Sequence, residues 1–68
     1  MKIEYYLYEK RISKNYSLRK LSDLSGISKS QIELIESGRT DPRLSTMCYL
    51  AAALELDVRE LFDYRTDI

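Results

Sequence analysis

Residues 18–37, LRKLSDLSGISKSQIELIES, constrain the fold more than any other part of this chain. Apolar Leu21, Leu24, Ile27, Ile32 and Ile35 recur at intervals of three to five, which suits two short helices and not a strand. Gly26 interrupts the run where a first helix would end, and glycine accepts the left-handed backbone that such an end commonly requires. Ser28 follows as an N-cap, with Gln31 three residues on completing a capping-box pattern. Ser17 is a simple cap for the first helix, because Lys20 cannot supply the reciprocal half. Ser22 falls where two helices crossing at roughly 90–120° need a small side chain at the contact.

Two helices joined in this way form a helix-turn-helix. The register Ser-x3-Leu-x4-Gly-Ile-Ser-x3-Ile-x2-Ile-Glu-x-Gly-x3-Pro, from Ser17 to Pro42, resembles the Xre/Cro-type family of lambdoid phage repressors and bacterial regulators. Leu50, Ala51, Ala53, Leu54, Leu61 and Phe62 extend the resemblance over nearly the whole chain. It implies an all-α, compact five-helix bundle of the lambda-repressor type, forming one domain over residues 1–68.

Around that motif, residues 3–14 read as the first helix, with Ile3, Leu7 and Tyr6 facing inward. Ile3-Glu4-Tyr5-Tyr6-Leu7-Tyr8 is rich in strand formers, so an N-terminal strand is the alternative there. Ser45 reads as the cap of a fourth helix over residues 46–55 with Met47, Leu50, Ala51 and Leu54 as its core stripe. Asp57 opens a last short helix over residues 58–62, and residues 63–68 carry no pattern that assigns them. Sixty-eight residues allow only a small core, so contact with a partner matters to such a chain.

Eleven basic and eleven acidic residues balance to a formal charge of zero, yet the two signs are not evenly spread. Residues 1–43 carry nine basic and six acidic side chains and residues 44–68 two and five, so a +3 half containing the motif faces a −3 half. No apolar run approaches the ~20 residues of a membrane span, and Met1-Lys2-Ile3-Glu4 does not open a signal peptide, which points to the cytoplasm. Cys48 has no partner for an internal disulfide and reads as a buried small apolar group; with no histidine, no metal site is expected. Neither a cofactor nor a small-molecule ligand is suggested, and no triad, paired carboxylates or glycine-rich loop points to an enzyme.

Function is expected on the outward face of the second motif helix. At ~100° per residue, Ile32, Ile35 and Glu36 point one way and Ser30, Glu33, Leu34 and Ser37 the other, with Lys29 and Gln31 on the flanks. The resemblance assigns Lys29, Ser30, Gln31 and Leu34 to base edges of double-stranded DNA. The chemistry is compatible: lysine donates to guanine, glutamine pairs with adenine, and an aliphatic group packs on a thymine methyl. Ser17, Arg19, Ser28, Arg39, Thr40 and Arg43 are expected at the sugar-phosphate backbone, and Arg11 is expected to pair with Glu36 inside the domain. The family often has a phosphate-binding glutamine where this chain has Leu18, and often a polar residue where it has Leu34.

These expectations amount to a sequence-specific repressor that reads a palindromic operator as a homodimer, the second copy meeting Leu56, Val58, Leu61, Phe62 and Tyr64. The alternative is a helix-turn-helix domain that serves as a protein-protein interaction module, antitoxin-like, with exposed Leu34 at its centre.

Overall fold

The N-terminal residues do not begin the first helix; they form a strand whose partner comes from the other end of the chain. In the computed structural model, which describes residues 1–67, β1 (Lys2–Tyr5) pairs antiparallel with β2 (Phe62–Arg65), Ile3 opposite Tyr64 and Tyr5 opposite Phe62. The Tyr6 N–H extends the ladder by donating to the Leu61 carbonyl at 2.8 Å. Lys2 lies opposite Arg65 and Glu4 opposite Asp63, like charges whose repulsion weakens a pair of strands. Glu4 offsets this by sitting 3.7 Å from Lys2 and 3.8 Å from Arg65.

Between the strands run α1 (Leu7–Ser13), α2 (Leu18–Ser25), α3 (Lys29–Glu36) and α4 (Leu44–Ala53), followed by a 3₁₀ turn at Val58–Leu61. Among the described residues the fold is therefore mostly helical, with four α-helices and a small two-stranded sheet in place of five helices. Residues 58–62 do not make the expected fifth helix. Asp57 caps them in a complete capping box with Glu60, but only a single 3₁₀ turn forms before Phe62 enters the sheet. Hydrogen bonds from the Arg59 guanidinium, and after them one from its backbone N–H, lower the Asp57 carboxyl to a pKa of about 2, which keeps it the acceptor the cap requires.

The motif helices form where the caps place them. Ser17 Oγ accepts from the Lys20 N–H at 3.0 Å and Ser28 Oγ from the Gln31 N–H at 3.1 Å. Between them Gly26 takes φ +76°, and Ser22 Oγ donates to the Ile27 carbonyl at 2.7 Å, so Ser22 ties the turn together besides being small. Helix α4 begins at Leu44 and not after Ser45: Arg43 occupies the cap position without a side-chain hydrogen bond.

Leu7, Leu21, Ile32, Ile35, Leu50, Leu54 and Leu61 are fully buried, with Met47 and Ala51 close behind, so every helix and the 3₁₀ turn contribute to one core. One apolar expectation fails here: Cys48 is exposed because Met47, Leu50 and Ala51 already take the inner side of α4. Leu24, part of the apolar spacing in α2, is 49% exposed. Among the described residues, no helix is long and apolar enough to cross a membrane.

Candidate nucleic-acid interface

Helix α3 is held from both ends and from behind. At its start the Ser28 cap satisfies one free N–H. At its end Gly38 takes φ +73° and closes a Schellman motif, the Gly38 N–H donating to the Ile35 carbonyl at 3.1 Å and the Arg39 N–H to the Leu34 carbonyl at 3.0 Å. Behind it Ile32 and Ile35 enter the core.

A polar clamp fixes the same helix to α1. Arg11 Nε donates to Glu36 Oε2 at 2.6 Å and Nη2 to Oε1 at 3.0 Å, while Nη1 donates to the Tyr16 carbonyl at 2.9 Å. Both side chains are about nine-tenths buried, so this fork ties three segments together at a place where an unpaired charge would be costly. The hydrogen bonds to Glu36 raise the Arg11 pKa still further, and the guanidinium keeps its charge at every accessible pH.

The outward side of α3 then presents Lys29, Ser30, Glu33, Leu34 and Ser37, all exposed, with Gln31 half-buried on the flank. Ser30, Glu33, Leu34, Ser37 and Arg39 line one shallow depression, in which Leu34 is 39% exposed. Lys29 Nζ lies 4.0 Å from Glu33 Oε1, so the carboxylate sits beside the lysine on the exposed side. Around this face Arg19, Arg39 and Arg43 are exposed and, among the described residues, none has an acidic partner within ion-pair distance, while Thr40 is half-buried. Ser17 and Ser28 are exposed with their hydroxyls already accepting cap hydrogen bonds, which leaves each hydroxyl proton to donate outward.

The expected self-association set fares differently. Leu61 is fully buried, and Leu56, Val58 and Phe62 pack against the core as partly buried groups, because the 3₁₀ turn and β2 fold back over α4 and β1. Only Tyr64 of that set is well exposed, at 59%.

One contact at the edge of this face has no local signal in the sequence: the Tyr5 hydroxyl donates to Asp41 Oδ1 at 2.9 Å, across to the loop that follows α3.

The helix-turn-helix family model matches residues 7–61. Over 61 residues the chain is 43% identical to the HTH-type transcriptional regulator SlrR of Bacillus subtilis, a match covering 88% of this chain and 39% of that protein. The chain thus spans about two fifths of the length of this curated relative. The crystal structure of the restriction-modification controller protein C.AhdI from Aeromonas hydrophila superposes with a TM-score of 0.76 at 35% identity, over 79% of this chain and 82% of that one. With the family's unit running from α1 through the 3₁₀ turn and the motif helices at its centre, the chain belongs to the Xre-like helix-turn-helix family.

Proposed function

We propose that the chain is a sequence-specific, double-stranded DNA-binding transcriptional regulator, a repressor, that reads the major groove with α3. The observation that carries this reading is the exposed side of α3: groups able to meet base edges run along it, and at its margins stand arginines that have no acidic partner among the described residues. A transcriptional regulator and a controller protein among its relatives support the same reading. Lys29, Ser30, Gln31 and Leu34 are the base-reading set, and Arg19, Arg39, Thr40 and Arg43 hold phosphate with the Ser17 and Ser28 caps. Selection from random duplex DNA tests it: one recurring site should emerge, with affinity that falls steeply as salt rises. A chain that binds no duplex but captures a protein partner with little salt dependence would instead be an interaction module centred on Leu34.

One helix in one groove contacts few base pairs, so the reading includes two copies on a palindromic site, with recognition helices ~34 Å apart. An uncharged, largely apolar surface open to a second copy lies on α4. Residues 44–53 carry no charge, and Leu44, Cys48, Tyr49 and Ala52 are exposed along one side, where a two-fold partner would meet no like charges. Sedimentation at roughly tens of micromolar is expected to show a species of twice the 8.0 kDa chain mass. A single 8.0 kDa species, together with one copy per selected duplex, would overturn the two-copy reading.

A further inference from the structure

Both strands lie outside residues 7–61, the part of the chain that matches the family. The sheet nevertheless reaches the candidate DNA face at one point, the 2.9 Å hydrogen bond from the Tyr5 hydroxyl to Asp41. Asp41 sits in the loop between the Schellman closure at Gly38 and the start of α4, flanked by Arg39 and Thr40 on one side and Arg43 on the other. Among the described residues this is the one hydrogen bond that reaches residues 40–42 from elsewhere in the chain. Pro42 has no N–H, and the segment lacks the ladder of a helix or strand, so its path is held by this bond and by the packing of Pro42 beside Tyr5, Met47 and Phe62.

The donor, by contrast, is firmly placed. Tyr5 stands opposite Phe62 in the sheet, its neighbour Tyr6 is bonded to Leu61, and its ring lines a small apolar crevice with Ile3, Pro42, Met47 and Phe62. Burial and the Asp41 carboxylate push the Tyr5 hydroxyl above the usual tyrosine range, so it remains a donor throughout neutral pH. A hydrogen bond to a carboxylate is stronger than one between neutral groups, and it also directs the negative charge toward the sheet.

We propose that Tyr5 is a positioning residue for DNA binding: through its hydroxyl the β1–β2 sheet holds Asp41, sets the loop that carries Arg39, Thr40 and Arg43, and turns the one carboxylate of that loop away from phosphate. This rests on the DNA-binding reading of the α3 face. Tyr5 touches no nucleotide in it. The tether acts on the general, sequence-independent part of affinity, because phosphate contacts position the protein and do not select bases.

Tyr5→Phe removes the hydroxyl and keeps the ring in its crevice, so it isolates the tether. In the free protein, the backbone amide order parameters of Thr40, Asp41 and Arg43 are expected to fall below ~0.6 while those of Leu21, Ile35 and Leu50 stay near ~0.85. Affinity is expected to drop about three- to tenfold, to the same degree on the selected duplex and on a scrambled one, the range expected for losing one hydrogen bond. Asp41→Asn keeps an acceptor for Tyr5 while removing the charge, and is expected to retain the loop's order and to bind at least as tightly as the unchanged chain. Unchanged loop order parameters in Tyr5→Phe overturn the tether. Lowered loop order with unchanged DNA affinity overturns its positioning role. Failure of the unchanged chain to bind any selected duplex overturns the DNA reading and with it the purpose assigned to the tether, a result distinct from the order parameters of the free protein.

Discussion

Arg11→Ala is expected to destabilise the protein by about 3 kcal/mol, the order of loss seen when one member of a buried ion pair is removed. The geometry demands a loss of this size. Truncation leaves the Glu36 carboxylate nine-tenths buried without its two donors and deprives the Tyr16 carbonyl of its partner. A surface pair would lose under ~1 kcal/mol, so denaturant melts of this single mutant separate the two cases. The companion test is the double replacement Arg11→Met with Glu36→Leu. It leaves neither charge stranded and is expected to recover most of the loss, because an apolar pair of similar volume is often as stable as a buried ion pair. A double mutant as unstable as Arg11→Ala would mean that the clamp matters through the Tyr16 carbonyl and the path of residues 14–17.

The second large effect is expected in DNA readout, where two groups of side chains should fail differently. Lys29→Ala is expected to weaken binding to the selected site by ~1–3 kcal/mol and to relax the preference at one base pair. Arg43→Ala is expected to weaken all duplexes alike and to flatten the salt dependence by about one unit. Competitive titrations on selected and scrambled duplexes over a salt series read both. The Glu33 carboxylate, 4.0 Å from Lys29, sharpens the first case: Glu33→Gln frees the lysine and removes a negative charge from the groove side, and tighter binding is the expected result. Leu34→Ala completes the set. A leucine packed on a thymine methyl predicts lost discrimination between thymine and uracil at one position, whereas untouched DNA binding with lost protein association would favour the interaction-module reading.

Much of this architecture was legible before any coordinates. The Ser17 and Ser28 caps, the left-handed Gly26 and the burial of Leu21, Ile32 and Ile35 all appear where the sequence puts them, whereas the left-handed Gly38 came with the structure. The outward row Ser30, Glu33, Leu34 and Ser37, with Lys29 on its flank, follows from the same helical period. The Arg11–Glu36 assignment rested on family resemblance, since nothing local links residues so far apart. Its bidentate geometry and the third bond to the Tyr16 carbonyl came only with the structure.

What the sequence determined by itself is whatever a few neighbouring residues decide: a cap reaches three residues along the chain, a glycine sets its own dihedral angle, and an amphipathic stripe repeats every 3.6 residues. Those rules placed the two motif helices and hence the candidate face. The tertiary structure decided what depends on distant partners. Residues 2–5 became a strand because residues 62–65 offered a ladder, and that same pairing cut the final helix to one 3₁₀ turn. Leu61 went inside, while Leu24 and Cys48 stayed outside, because the inner positions nearest them were already filled by Leu21, Met47, Leu50 and Ala51. Tyr5 met Asp41 only because the sheet lies against the loop after α3, an adjacency that no stretch of sequence holds, since it exists only once both ends of the chain have closed over the core.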